Sequence, residues 1–188
     1  MIISIFGKKG SGKSVLSKNY MMSIGGKVIF LSPVEYLNIK HKEIWQIIDI
    51  PESMEHMIKG DVLLIRNAQL DAIDLVCANA IYLNSEFTII IDEVDKYKRS
   101  TEILDGIHYS RHFNLHLIAN TRRYVDMPRL LTSQADEMCI FQTNEPRDIQ
   151  YLKEFISKEF ADKCRNLPQY HYLHYPSYKI KKSKFINI

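Results

Sequence analysis

Apolar residues in this chain come in short unbroken runs separated by longer segments of mixed polarity. Residues 1–6 (MIISIF) form one such run, closed by Gly7, and the pattern returns at Lys27–Leu31 (KVIFL), 61–65 (DVLLI), Phe87–Ile91 (FTIII), 115–119 (LHLIA) and 138–141 (MCIF). Runs this short cannot stand as helices and lack the alternation of a half-exposed strand, so they predict strands buried on both faces. Between them the spacing predicts helices over Lys13–Ile24, stopped by Gly25 and Gly26, and over 51–59, 69–82, 101–112 and 128–134. Two more helices follow Pro146, at 147–156 and Lys158–Arg165. Strand and helix in alternation predict an α/β fold with a central, mostly parallel sheet flanked by helices on both faces.

The texture changes at the end. Residues 169–188 are rich in Tyr, His and Lys, alternate only in part, and break at Pro176 and Ser177, which predicts a C-terminal β-hairpin or pair of edge strands. Lys179, Lys181, Lys182 and Lys184 alternate imperfectly with Ile180, Phe185 and Ile186. Such lysines protect a solvated edge strand or face a phosphate backbone, and both readings stay open.

At 188 residues, with 46% hydrophobic and 25% charged positions, the chain is expected to form a single domain over residues 1–188, and disordered or fibrous classes are excluded. A net charge of +3 is too mild to name a nucleic-acid partner without clustering. No apolar run reaches the roughly 20 residues needed to cross a bilayer, and the amino-terminal segment reads as a strand entering a glycine loop, not as a signal peptide. A soluble, intracellular protein is expected. Cys77, Cys139 and Cys164 are widely separated and fit no metal-ligand spacing, so they are expected to be reduced core residues.

Gly7-Lys8-Lys9-Gly10-Ser11-Gly12-Lys13-Ser14 matches G-x-x-x-x-G-K-[ST] between a predicted strand and a predicted helix, the context the motif requires. Its glycines let successive N–H groups point inward at phosphate oxygens, and the helix amino end adds a favourable dipole. The loop through Val15 is therefore the candidate site for ATP, with Lys13 on the β- and γ-phosphates and Ser14 on Mg²⁺. Together with the strand order, this makes the expected fold a RecA-like P-loop NTPase.

Phe87–Ile91 ends on two carboxylates, Asp92 and Glu93, where an open α/β sheet places its chemistry. Asp92 is the second candidate for the Mg²⁺ site, and Glu93 the candidate general base for water. A glutamate there favours hydrolysis. A small-molecule (nucleoside or nucleotide) kinase, which has to exclude water, remains the alternative, with residues 122–129 as its candidate lid. A non-enzymatic nucleotide-gated adaptor fits the complete motif less well.

Over nearly its whole length the chain resembles the FtsK/HerA superfamily of ring-forming ATPases, and within it the packaging ATPases of tailless icosahedral viruses with an internal membrane. The resemblance lies in the phosphate loop, the acid pair, the Arg111-His112-Phe113-Asn114-Leu115-His116-Leu117-Ile118 strand entry, the stretch Leu131 to Asp136, the turn Phe141-Gln142-Thr143-Asn144-Glu145-Pro146, and Gln169-Tyr170-His171-Tyr172. It implies an ATP-hydrolysing motor that moves double-stranded genomic DNA into a preformed capsid. It also implies a homo-oligomeric ring, a hexamer, docked on capsid or membrane vertex proteins, in the host cytoplasm or at the packaging vertex of the virion. Asn120 and Thr121 take the sensor role. The family usually follows that threonine with Gln, whereas this chain has Arg122, which could instead bear on phosphate or DNA.

Ring ATPases commonly complete the site with an arginine from the adjacent subunit. Arg111, Arg122, Arg123, Arg129 and Arg147 are candidates, with Arg111 and Arg147 at the positions that match the family. His108, His112 and His116 recur at four-residue spacing, but a predicted helix-to-strand break within the run spoils a common ligand face.

Overall fold

The computed structural model describes residues 1–32, 38–66, 69–97, 101–110 and 112–183. Its frame is one nine-stranded sheet. The strands are β1 (Ile2–Phe6), β2 (Lys27–Leu31), β3 (Lys42–Ile44), β4 (Val62–Ile65), β5 (Phe87–Ile91), β6 (Leu115–Thr121), β7 (Glu137–Phe141), β8 (His171–Tyr175) and β9 (Lys179–Lys182). They run in the order β3-β4-β2-β5-β6-β1-β7-β8-β9. All pairings from β3 to β7 are parallel, and β7 with β8 and β8 with β9 are antiparallel. The mostly parallel sheet and the C-terminal hairpin expected from the sequence are thus both present.

Among the described residues seven α-helices connect these strands: α1 (Lys13–Ile24), α2 (Ile50–Glu55), α3 (Leu70–Leu83), α4 (Thr101–Tyr109), α5 (Arg129–Ser133), α6 (Pro146–Phe155) and α7 (Lys158–Arg165). Strand alternation sends successive side chains to opposite faces. Ile3, Ile5, Phe30, Ile90 and Ile118 meet Leu16 and Met21 of α1 on one face. Phe6, Ile29, Ile89, Ile91 and Leu117 meet Met54, Ile73, Val76, Ile107, Leu131, Leu152 and Phe160 on the other. Both faces being covered, the inner strands are mostly apolar, with Ser4, Thr88 and Asn120 among their few buried polar residues, which is why short apolar runs announced them. Cys77, Cys139 and Cys164 are buried and not joined in disulfides.

Three details differ from the sequence expectation. Strand β3 was not anticipated, because Lys42 and Glu43 are exposed and only Ile44 is buried, which leaves no apolar run to detect. It forms by pairing with β4. The helix expected over 51–59 stops at Glu55, and the one expected over 101–112 stops at Tyr109, ahead of Asn114 in the left-handed region at φ 48°. Lys184, Phe185 and Ile186 lie outside the described residues.

Candidate active site

The carboxyl ends of β1, β2, β5 and β6 open toward the start of α1. Gly7 follows β1 at a point with no room for a side chain: a Cβ there would stand 2.6 Å from Ser11 Oγ and 2.7 Å from Phe141 Cβ. Gly12, at φ 107°, adopts a left-handed turn that glycine takes without strain and caps α1 without offering a side-chain acceptor. The first turn of α1 also carries no acidic residue. The amino-end N–H groups and dipole of a twelve-residue helix are thus left for an external anion. Lys13 folds back over the loop, its Nζ donating to Gly7 O at 2.6 Å and Lys8 O at 3.1 Å. Burial lowers the Lys13 pKa below the ordinary lysine value, opposed by the carboxylates of Asp92, Glu93 and Asp95, while Arg122 adds to the lowering.

Asp92 continues the β5 ladder, its N–H donating to Leu31 O at 3.1 Å. The alternation gives it the same face as Ile90, the α1 face, where Ser32 Oγ donates to its Oδ2 at 3.3 Å. Glu93 turns away with φ 53°, a conformation a non-glycine residue holds only when its surroundings fix it. Those surroundings are cationic. Arg122 Nη2 donates to Glu93 Oε1 at 2.5 Å, and Lys96 Nζ pairs with Oε2. The Lys96 ammonium first, and then Arg122, hold the Glu93 carboxyl below the usual carboxylate range against the opposing effect of burial.

The two polar residues at the end of β6 face opposite ways. Asn120 is fully buried beneath α1, where its Oδ1 accepts from Ser17 Oγ at 2.8 Å and its Nδ2 has no partner among the described residues. Thr121 Oγ1 donates to Asp95 Oδ1 at 3.1 Å. Arg123 pairs with Glu145. Arg129 and Arg147 are exposed, far along the chain from the loop, and Arg111 lies outside the described residues. His116 Nδ1 lies 3.2 Å from the amino group of Met1, and His108 and His112 are exposed.

Several participants carried no signal of their own in the sequence. Lys96 sits three residues after Glu93, a spacing at which an ion pair can be anticipated. Asp95 and Ser32 are ordinary turn residues until the strands pair. The open end of the hairpin reaches the loop as well: Ser183, just after β9, donates from Oγ to Gly12 O at 3.1 Å and from its N–H to Tyr170 O, just before β8, at 2.8 Å.

A strand, phosphate loop and helix with an acid pair on the next-but-one strand define the chain as a P-loop ATPase. No protein-family model matches it, and no curated protein does. Solved structures do. The genome packaging NTPase B204 from Sulfolobus turreted icosahedral virus 2, in complex with ATP-gammaS, matches with a TM-score of 0.77 and 28% identity over 96% of this chain and 94% of its own. B204, the DNA-packaging ATPase from Sulfolobus turreted icosahedral virus, matches with a TM-score of 0.75 and 26% identity over 99% and 98%. The EssC segment with ATPases 2 and 3 from Geobacillus thermodenitrificans, at 11% identity, TM-score 0.59 and 97% of this chain against 39% of its own, shares the fold. The resemblance to viral packaging ATPases read from the motifs therefore extends to three dimensions.

Proposed function

We propose that this chain is an ATP-hydrolysing motor that translocates double-stranded viral genomic DNA into a preformed capsid. The observation that most supports this reading is the two-way overlap with the DNA-packaging ATPase B204, 99% of this chain and 98% of that one, which takes in the hairpin as well as the phosphate loop. The same overlap does not favour the kinase alternative. In this reading the triphosphate of ATP lies on Gly7, Lys8, Lys9, Gly10, Ser11, Gly12, Lys13, Ser14 and Val15, held by loop amides and the α1 amino end. Lys13 would release its loop carbonyls to the β- and γ-phosphates.

Mg²⁺ suits the residues present, because the Ser14 hydroxyl and the Asp92 carboxylate are both hard oxygen donors on the α1 side of the sheet. Bound there, the ion would offset charge on the phosphates. Glu93 takes the proton of the attacking water. Asn120, whose Nδ2 has no partner among the described residues, and Thr121, with its hydroxyl on Asp95, respond to the γ-phosphate. Arg147, exposed on α6, is the described candidate for a charge donated to the site of a neighbouring subunit, with Arg111 the other. The chain would act as a homo-oligomeric ring, a hexamer, docked on capsid or membrane vertex proteins, in the host cytoplasm or at the packaging vertex. No described helix is long and apolar enough to cross a membrane.

The test is steady-state ATP hydrolysis with and without duplex DNA at low and moderate salt. Turnover should rise with DNA, and the rise should shrink steeply as salt increases. Turnover indifferent to DNA would sink the translocation reading, and turnover that requires a nucleoside or nucleotide acceptor would restore the kinase.

A further inference from the structure

Both oxygens of the Glu93 carboxylate are occupied, Oε1 by Arg122 and Oε2 by Lys96. A general base needs one oxygen open to the water whose proton it takes. The two cations differ in what else they can reach. Lys96 shares a turn with Glu93, its backbone N–H donating to Glu93 O at 3.0 Å, so it moves with the glutamate. Arg122 comes from the end of β6 and lines a cavity of about 350 Å³ together with Lys8 and Lys9 of the phosphate loop and Arg123. At 60% side-chain exposure its pair with Glu93 belongs to the weak, solvent-screened kind.

We propose that Arg122 is an exchangeable latch on Glu93: the terminal phosphate of a bound triphosphate takes its guanidinium, and Glu93 Oε1 becomes free to act on water. This rests on the hydrolytic role proposed above for Glu93. A terminal phosphate carries more charge than a carboxylate and accepts two parallel hydrogen bonds from the guanidinium fork, so the exchange favours the phosphate. Lys96 stays on Oε2 and keeps the carboxylate in place. The oxygen of water then bonds to the γ-phosphorus, its proton passes to Oε1, and the bond to the leaving diphosphate breaks. Arg122 and Lys96 form no covalent bond. A diphosphate lacks the group that draws Arg122 away and leaves the latch closed, so the base is released only when there is a bond to cleave.

The experiment is equilibrium binding, with Mg²⁺, of a non-hydrolysable ATP analogue and of ADP to the full chain and to Arg122→Ala, Glu93→Gln and the double variant. Arg122→Ala should weaken the analogue about ten-fold, as loss of a charge-assisted contact does, and leave ADP within about two-fold. Glu93→Gln removes the competing carboxylate and should tighten the analogue several-fold, and this gain should vanish in the double variant. Arg122→Gln carries the same expectation should the alanine variant not fold. Equal losses for analogue and ADP, or a Glu93→Gln gain that persists without Arg122, would overturn the latch alone. An unaltered chain that binds neither nucleotide would overturn the ATPase reading, and the latch with it.

Discussion

Strands β5 and β9 belong to the same sheet, yet every residue of FTIII is buried and every residue of KIKK is exposed. β5 lies between two parallel neighbours with helices over both faces, so its side chains are chosen by packing and its polar chemistry is pushed to its end, at Asp92 and Glu93. Among the described residues β9 pairs on one side only, with β8, and its lysines discourage a further strand from adding. In the centre a residue's place is dictated by its neighbours; at the edge it is free to be set by solvent or by a partner.

Substitutions should therefore grade from severe at the centre to mild at the edge. Lys13→Ala should abolish nucleotide binding or turnover, measured by nucleotide titration and steady-state hydrolysis. Glu93→Gln should still bind ATP and hydrolyse it about 10²- to 10⁴-fold more slowly, the range for losing a general base; undiminished turnover would refute that role. Ile89→Ala, at a fully buried position in β5, should cost about 2–5 kcal/mol in denaturant unfolding. Lys181→Ala in β9 should change stability by less than about 0.5 kcal/mol. If Lys181→Ala also flattens the salt dependence of DNA binding, the basic edge faces phosphate rather than bulk solvent. A large stability loss there would mean the hairpin is not the passive border described.

The same contrast explains what the sequence disclosed. Lys27–Leu31, Phe87–Ile91 and Lys13–Ile24 were readable to the residue, because burial on both faces and glycine stops leave unambiguous local patterns. The phosphate loop and acid pair were readable because their chemistry is carried by contiguous residues. β3 was not readable, because two of its three residues are exposed and it exists through pairing with β4. Nor was the approach of Arg122 to Glu93, since nothing local joins the end of β6 to the turn after β5 until those strands align. That Asn120 lies under α1 while Thr121 meets Asp95 follows from strand alternation, but only once the covering helix on each face is known.

The register of β1 has a bearing on how the molecule is made. Ile2 aligns with Leu117 and Ile3 with Glu137, while β2, the next strand in the chain, lies on the far side of β5 and β6. The strand that leads into the phosphate loop therefore has no sheet partner until the segments forming β6 and β7 have left the ribosome, and Phe141, which crowds Gly7, is among the last of them. Such distant pairings raise contact order and slow folding. Competence to hold a phosphate should accordingly wait until β6 and β7 have been made, so that a chain cut short before Phe141 does not gain the loop in working form.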